Sequence, residues 1–254
     1  MYFLSVLAIF KNETINLKVW LDHYLWQGVE HFYLIDNGST DSPLLILQEY
    51  IDKGLVSYFY KEERHKQAEH YRWVFHTQNL REKTYWLAVC DMDEFFFGIQ
   101  RKLATTLKSL DYFHVLYCHW HMFGSDNLIQ QPDDIRTSII HRKLPLDVNT
   151  KYIFKPAFIR DSSMIWIHGI VEPGTMNVIK NNSRIKVANQ YIQLNHYPIQ
   201  SLEFFQKVKM TRGSANVAQH DKIRDMNYFR KYDYGTRWLD DLLKNLIQNP
   251  PDIY

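Results

Sequence analysis

The chain has 254 residues, 46% of them hydrophobic and 23% charged, so it can bury a full core and is not expected to be disordered. Its 30 Lys and Arg against 28 Asp and Glu give a formal net charge of +2, which argues against nucleic acid as a partner. The aromatic content of 15% suits either a bulky core or a groove that stacks flat ligands and sugar rings.

The N-terminal half repeats a short β-rich apolar run that ends in polar residues and precedes a segment of helical periodicity. This alternation predicts an α/β fold with a mostly parallel sheet. The predicted strands lie at 3–10, 31–35, 55–60 and 85–90, and helices follow the first three. Gly28 and Gly54 stand where helices would end, and Asp41 or Ser42 is expected to cap the second helix, which has Pro43 in its first turn.

From about residue 115 the alternation fades, and the sheet is expected to become mixed. Strands are predicted within 116–124, 137–143, 151–159, 164–171 and 191–198. Two helices are predicted to close the chain, at 201–211 and 236–248, and the second has an apolar stripe that begins at Trp238. No internal repeat or linker stands out, so we expect one domain.

The cysteines and the apolar residues 1–10 are informative about the cellular location of the protein. Cys90 and Cys118 lie in apolar runs without metal-binding spacing, so we expect reduced core thiols in a cytoplasmic protein. Residues 1–10 lack the basic flank and cleavage site of a signal peptide and are predicted to form a buried strand. No stretch approaches 18 apolar residues, so no transmembrane segment is expected and peripheral membrane association stays open.

The sharpest chemical signal is an acidic group after the fourth predicted strand, formed by Asp91, Asp93 and Glu94. Carboxylates crowded beside a buried strand repel one another unless a cation offsets their charge. In an extended segment Asp91 and Asp93 point to the same side and can hold a divalent ion that also bridges a diphosphate. The alternative is a solvated acidic turn, which is common on loops.

A second polar loop, DNGSTD, follows the second predicted strand. Asp36 and Asn37 can bind a pyrimidine edge or a ribose hydroxyl, and Gly38 permits close approach, although the loop can also serve only to cap a helix. Because parallel strands end at one edge of a sheet, this loop and the acidic group are expected to lie together, which favours a nucleotide site. Polar residues also follow the first and third predicted strands: Asn12, Glu13 and Arg64.

The sequence resembles the GT-A glycosyltransferases, and among them glycosyltransferase family 92 and its family 2-like relatives. The resemblance runs from Leu7 to about Gly213 and rests on KNE, LIDNGSTD, DMDEF, HWHMFGS and NHYPIQSLEFFQKVKMTRG. The NGSTD loop is widespread in family 2, whereas DMDEF together with the later NHY segment is more specific. One departure is Asp126–Asn127 after FGS, where a small residue is expected.

The resemblance implies a GT-A, Rossmann-like fold in a single domain. Its expected parts are a nucleotide-sugar-binding half at 1–98, an acceptor-side half at 99–213 and a C-terminal helical segment at 214–254. It also implies a nucleotide-diphosphate sugar donor, expected to be a UDP-sugar, and a divalent cation, Mn²⁺ or Mg²⁺. The implied reaction is inverting transfer to a hydroxyl group of a carbohydrate or glycoconjugate acceptor.

Residue roles follow from the resemblance and from the charge that develops on a departing UDP. Asp93 is the expected metal ligand, with Asp91 as second ligand or ribose contact and His196 completing the shell, although a lone histidine is often structural. The expected donor-binding residues are Asn12, Glu13, Asp36, Asn37, Arg64, Asp91, Lys207 and Arg212. Lys207, Lys209 and Arg212 have the spacing of diphosphate contacts, but also that of a solvated helix face.

Inversion needs a group that takes the acceptor proton, and Glu172, Asp126 and Glu94 are the candidates, among which the sequence does not decide. Two other classes stay open. A nucleotidyltransferase normally has a glycine-rich basic loop after the first strand, which KNETIN lacks, and a noncatalytic carbohydrate-binding domain would leave the acidic group unexplained.

Overall fold

The computed structural model describes residues 1–212 and 224–251. The strands are β1 Tyr2–Phe10, β2 His31–Asp36, β3 Val56–Tyr60, β4 Thr84–Val89, β5 Glu94–Gly98, β6 Val115–Met122, β7 His141–Arg142, β8 Thr150–Phe154, β9 Ile185–Val187, β10 Ile192–His196 and β11 Trp238–Leu239. The helices are α1 Thr14–Trp26, α2 Leu44–Asp52, α3 Gln67–Thr77, α4 Leu80–Lys83, α5 Leu103–Ser109, α6 Ile135–Ser138, α7 Leu202–Phe204, α8 Met226–Asp233 and α9 Leu242–Gln248. Short 3₁₀ turns lie at Pro156–Phe158 and Ser162–Met164, and a π-helical turn, Phe205–Lys209, follows α7.

Nine strands of the described ranges form one sheet in the order β3-β2-β1-β4-β8-β6-β10-β5, with β9 added beside β6. The first four strands are parallel, β8 is antiparallel to both of its neighbours, and β10 runs parallel to β6. The predicted α/β fold, with a mostly parallel sheet that becomes mixed in the second half, is confirmed. The topology also places the carboxyl ends of β1–β4, β6 and β10 at one edge of the sheet, where a ligand site is expected.

Apolar side chains cover both faces of the sheet, as a parallel sheet requires. In β1 alternate residues point to opposite faces, so Leu4 and Val6 join one buried cluster and Leu7 joins another. Trp20 of α1 packs in the first cluster and Tyr71 of α3 in the second. The two helices therefore lie on opposite faces and hold the sheet between them.

The start of α2 differs from the sequence prediction. No side chain caps α2, which begins after Pro43. The Asp41 carboxylate instead accepts a hydrogen bond from the backbone N–H of Thr14 at 2.9 Å, at the start of α1. Asp41 thus joins the loop after β2 to the helix after β1, and this link fixes two loops at the same sheet edge.

Two predicted strands are mostly absent. Residues 137–143 give only the two-residue β7, and the first two of them lie in α6, which Asp134 caps by accepting the N–H of Arg136. Residues 164–171 make only isolated bridges, such as Ile165 with Ile170. The sequence prediction also lacked β5, α5 and β9.

The closing helices are shorter than predicted. The segment predicted to be helical at 201–211 is α7 followed by the π-helical turn, and Ser201 caps it through the N–H of Phe204. Residues Trp238–Leu239 form β11 beside β7 and are 59% and 60% exposed, so the apolar stripe does not include them. The helix α9 begins only at Leu242 and buries Leu243 and Leu246.

Other predictions concern the thiols, membrane spans and the C-terminal segment. Cys90 and Cys118 are free and buried, as predicted. No helix in the described part of the chain is long and apolar enough to cross a membrane. Gly213 and residues 214–223 and 252–254 of the predicted C-terminal segment lie outside the described residues.

Candidate functional site

A cavity of about 440 Å³ lies at the sheet edge where the parallel strands end. Its wall includes charged, polar and aromatic residues from both halves of the described chain: Lys11, Glu13, Asn37, Arg64, Gln67, Asp91, Asp93, Trp120, His168, His196, Lys209, Arg212, Tyr228 and Tyr232. The prediction that polar residues after successive strands converge at one edge is therefore met by the geometry.

Asp93 is the centre of the charged wall. The backbone turns at residues 91–94, where the N–H of Glu94 donates to the carbonyl of Asp91, so the expected extended alternation is wrong. Both aspartates still line the cavity. The Asp93 Oδ2 atom accepts a hydrogen bond from Lys209 Nζ at 2.6 Å, and Oδ1 lies 3.7 Å from His196 Nε2. The turn directs the carboxylate towards two groups that can carry positive charge.

Asp91 and Glu94 share a second buried cation. Lys151, on β8, is fully buried and places Nζ 2.8 Å from Asp91 Oδ2 and 3.6 Å from Glu94 Oε2. Glu94 Oε2 also accepts the backbone N–H of Asp91 at 2.8 Å. Lys151 thus fixes the acidic turn from behind, and the 34% exposure of the Asp91 side chain leaves that carboxylate accessible.

A third ion pair lies beside the first strand. Arg212 donates to the Glu13 carboxylate and to the backbone carbonyl of Lys11. Glu13 Oε1 is also 3.5 Å from Lys209 Nζ, so Lys209 lies between Glu13 and Asp93. The charges on the wall therefore alternate, and Lys209 and Arg212 lie side by side with acidic partners.

The local environment separates the pKa values of the two neighbouring carboxyl groups. Burial alone would raise the pKa of Asp93, but Lys209 and His196 outweigh it and hold this pKa well below the usual range. Burial raises the pKa of Glu94 well above its usual value, despite the nearby Lys151. At neutral pH Asp93 is therefore ionised, whereas Glu94 gives up its proton less readily than an ordinary glutamate.

Asp93, Glu94 and His196 form a cluster whose ligand atoms lie within 4.8 Å of one another. Two buried polar atoms of this cluster have no hydrogen-bond partner, Glu94 Oε1 and His196 Nδ1. Their juxtaposition follows from the antiparallel pairing of β10 with β5, which sets His196 opposite Glu94. Carboxylate and imidazole donors with unsatisfied atoms fit a divalent cation such as Mn²⁺.

Aromatic rings form another part of the wall. Trp120 of β6 lies with its ring centroid 4.3 Å from that of His196 and 5.4 Å from that of His168. On α8, Tyr228 and Tyr232 lie 4.4 Å apart between ring centroids. Flat apolar surfaces beside charged groups suit a ligand that has both a ring face and phosphates.

The loop after β2 reaches the cavity through only one of its two predicted residues. Asp36 is buried away from the cavity wall, and its oxygens accept from the N–H of Ser39 and from the Tyr58 hydroxyl, each at 2.7 Å. Asn37 lines the cavity. Asn12 does not line it, and its side-chain oxygen accepts the N–H of Thr40 at 2.7 Å. Asp36 and Asn12 therefore hold the loop in place instead of facing a ligand.

Several other predicted residues are not brought to the cavity wall. Asp126 accepts hydrogen bonds from the N–H of Ile140 at 2.6 Å and from His141 at 3.1 Å, because its backbone turns with φ of 48° away from β6. Glu172 is exposed, four residues after the cavity-lining His168. Lys207 is 68% exposed and pairs with Glu203 on the same helical turn.

The sequence reasoning missed several residues that line or support the cavity, among them Lys151, Gln67 and His168. Gln67 lies 3.3 Å from Asp91 Oδ1. Burial lowers the pKa of His168 to about 4, helped by Lys151, so His168 is neutral at physiological pH. The one available signal was a lysine inside an otherwise apolar strand, TKYIF, because such a lysine needs a buried acidic partner.

The chain matches a family model, a curated relative and several solved structures. The family model described as Glycosyltransferase family 92 matches residues 3–231. A glycosyltransferase family 92 protein of Ricinus communis is 23% identical over 268 residues, covering 99% of this chain and 43% of the relative. The chain thus spans less than half the length of that relative.

Two solved structures illustrate the structural similarity. The structure of S. aureus TarS 1–349 has a TM-score of 0.47 and 16% identity, over 82% of this chain and 63% of that one. The structure of GalNAc-T7 with UDP, GalNAc and Mn²⁺ has a TM-score of 0.43 and 12% identity, over 78% of this chain and 43% of that one.

Proposed function

The chain belongs to glycosyltransferase family 92, and on that premise we propose that it transfers a sugar from a UDP-sugar to a hydroxyl group of a carbohydrate or glycoconjugate acceptor. The main support for the proposal is the set of residues that line the cavity. A cavity large enough for a nucleotide-sugar is lined by Asp93 and His196, which form the cation cluster with the buried Glu94, and by two cationic side chains, Lys209 and Arg212.

The charged wall suits the leaving group of glycosyl transfer. When the bond between sugar and diphosphate breaks, negative charge builds up on the departing nucleotide. Arg212 lines the cavity and is held by Glu13 and the Lys11 carbonyl before any ligand binds, so little reorganisation is needed to place its positive charge there. Fixed charges of this kind stabilise a transition state more than mobile ones do.

Asp93 and His196 would hold a divalent cation, with Glu94 as a third ligand once its proton leaves. When bound, such a cation supplies positive charge that the diphosphate can share, as a Lewis acid does. Asp91 is not in this cluster. Its carboxylate is accessible and fixed by Lys151, so we assign it to a donor hydroxyl or ribose contact.

The nucleoside end of the donor is assigned to two other residues that line the cavity, Asn37 and Arg64. The Asn37 amide donates to the backbone carbonyls of Lys61 at 2.6 Å and Glu63 at 3.0 Å, which fixes its side chain. Asp36 supports this loop from beneath through Ser39. A rigid loop presents its remaining polar atoms to a base or ribose without an ordering cost on binding.

Inverting transfer needs a group that accepts the acceptor proton, and Glu172 is our choice among the three carboxyl groups proposed from the sequence. Glu94 is buried and does not line the cavity, so it is poorly placed to meet an acceptor hydroxyl there. Both Asp126 oxygens already accept hydrogen bonds. The exposed Glu172 follows the segment that contributes His168 to the cavity, where an acceptor can lie between them.

The proposal is tested by release of UDP from a panel of UDP-sugars, with excess Mn²⁺ and with EDTA. We expect release that depends on the cation and is accelerated by an acceptor sugar. A nucleotidyltransferase would instead release pyrophosphate from UTP and a sugar phosphate. A noncatalytic binding domain would bind the UDP-sugar and release nothing.

A further inference from the structure

Lys209 occupies an unusual position for a lysine. It ends the π-helical turn Phe205–Lys209, and its side chain is only 3% exposed. Its Nζ atom lies 2.6 Å from Asp93 Oδ2 and 3.5 Å from Glu13 Oε1. Isolated π-helical turns are frequent at functional sites, because the extra residue redirects one side chain.

Lys209 and the cation cluster compete for the same carboxylate. Asp93 presents Oδ2 to Lys209 and Oδ1 to His196, which belongs to the cluster. An ammonium group 2.6 Å from the carboxylate already neutralises it. The charge of Asp93 is therefore already neutralised when a divalent cation approaches, and the ammonium group repels that cation at short range.

The diphosphate would offer Lys209 a second anionic partner, because the Lys209 side chain lines the cavity in which the diphosphate is proposed to bind. Lys151 provides the contrast: it is fully buried between Asp91 and Glu94 and is not part of the cavity wall. The two lysines thus neutralise the same acidic turn in different ways. Lys151 can only support the turn, whereas Lys209 can exchange its carboxylate partner for a ligand.

We propose that Lys209 is an exchangeable counter-cation, which neutralises Asp93 when no nucleotide is bound and turns to the diphosphate when the nucleotide binds. The inference rests on the proposed function, since it needs both a diphosphate and a divalent cation. Moving the ammonium group to a phosphate releases the Asp93 carboxylate for the metal. Nucleotide binding therefore strengthens metal binding, and by linkage the metal strengthens nucleotide binding to the same degree.

Two titrations of the purified chain and its Lys209→Met variant test the proposal. Mn²⁺ binding is followed by electron paramagnetic resonance without nucleotide, and UDP binding by calorimetry in EDTA. In Lys209→Met we expect Mn²⁺ to bind about tenfold more tightly and UDP about tenfold more weakly, within the usual range of coupling between sites. The exposed Lys207 gives the matched control, and Lys207→Met should leave both affinities within about twofold of the wild type, as expected for an exposed pair.

Tighter Mn²⁺ binding together with weaker UDP binding in Lys209→Met supports the exchange. If Lys209→Met weakens both ligands, the lysine only supports the structure of the site, and the proposal is overturned. A weaker UDP with unchanged Mn²⁺ makes Lys209 a phosphate contact alone, which overturns it as well. Lys209→Arg keeps the charge and should bind Mn²⁺ without nucleotide as weakly as the wild type does.

If Lys209→Met does not fold, as judged by circular dichroism, the wild type alone still tests the exchange. UDP should lower the Kd for Mn²⁺ in the wild type, and a Kd for Mn²⁺ that UDP does not change overturns the exchange. A folded wild type that binds neither UDP nor Mn²⁺ contradicts the proposed function itself. The two failures are thereby distinguished.

Discussion

Replacing Asp93 by asparagine keeps the shape of the side chain and removes its charge. The wild-type carboxylate contacts Lys209 at 2.6 Å and His196 at 3.7 Å and is one of the three groups of the cation cluster. The amide can still accept a hydrogen bond from Lys209, but it no longer offsets the ammonium charge or that of a divalent cation. Cation-dependent transfer should therefore fall while the sheet stays intact.

Two magnitudes follow from this geometry. Loss of one preorganised charge contact at the leaving group should slow transfer by at least about 100-fold, which corresponds to about 2.7 kcal/mol of activation free energy. Because the Asp93 side chain is only 9% exposed, the substitution also leaves Lys209 with Glu13 as its nearest acidic partner, at 3.5 Å. Breaking a buried pair in this way lowers the free energy of unfolding by up to about 3–5 kcal/mol.

A matched variant separates the two effects. Asp240 is also 9% exposed and forms an ion pair with Arg142 at 2.5 Å, but it is not part of the cavity wall. Asp240→Asn should therefore lower stability to a similar extent and keep most of the activity. The assay is UDP release at saturating Mn²⁺, with urea unfolding of each variant. Asp93→Asn that keeps a third or more of the wild-type rate, or an equal loss in both variants, refutes the reasoning.

Three further predictions concern two buried groups, His23 and Asp36, and the exposed Glu172. Burial lowers the pKa of His23 to about 3 in the native state. Because the unfolded chain takes up this proton below about pH 6.5 and the native state does not, the free energy of unfolding should fall by about 2 kcal/mol from pH 7 to pH 5. In His23→Gln, whose amide can replace the hydrogen bond to the Phe96 carbonyl, that difference between the two pH values should shrink, as measured by urea unfolding; an unchanged difference would assign the effect elsewhere. Asp36→Ala removes the acceptor of Ser39 and Tyr58 and should lower the free energy of unfolding by about 1–3 kcal/mol, whereas no change in the urea midpoint would show that water replaces the carboxylate. Glu172→Gln should abolish transfer and leave the Kd for UDP unchanged, and a fully active variant would exclude Glu172 as the base.

The part of the site that follows the strand ends could be predicted from the sequence. A buried run that stops at Asp91 indicates a strand that ends there, and parallel strands bring such ends together. The same logic placed Glu13 and Asn37 at one edge, and both line the cavity. These placements need only the order of strands and helices, which hydrophobic periodicity reveals.

The parts that depend on long-range register could not be predicted. His196 faces Glu94 because β10 pairs antiparallel with β5, a strand whose residues, EFFFG, follow directly on the acidic group. The contact between Lys151 and Asp91 joins residues 60 positions apart. No local pattern encodes such register, which is set by how whole strands pack and pair.

Local capping explains other differences between prediction and structure. Asp41 is a good helix cap by residue type, but it caps α1 instead of the helix that follows it. Asp134 caps the short α6 through the N–H of Arg136, although the β-branched residues of that segment favour a strand. The Asp134 contact is local, whereas the Asp41 contact joins residues 27 positions apart and could not be read from the sequence.

Calorimetry of UDP in Mn²⁺ and in EDTA shows whether the cavity binds a nucleoside diphosphate together with a divalent cation. We expect UDP to bind in Mn²⁺ and at least about tenfold more weakly in EDTA, a difference of about 1.4 kcal/mol. UMP, which lacks the second phosphate, should bind more weakly than UDP and respond less to Mn²⁺. Equal affinity for UDP in Mn²⁺ and EDTA, or no binding of UDP in either, would contradict the proposed function.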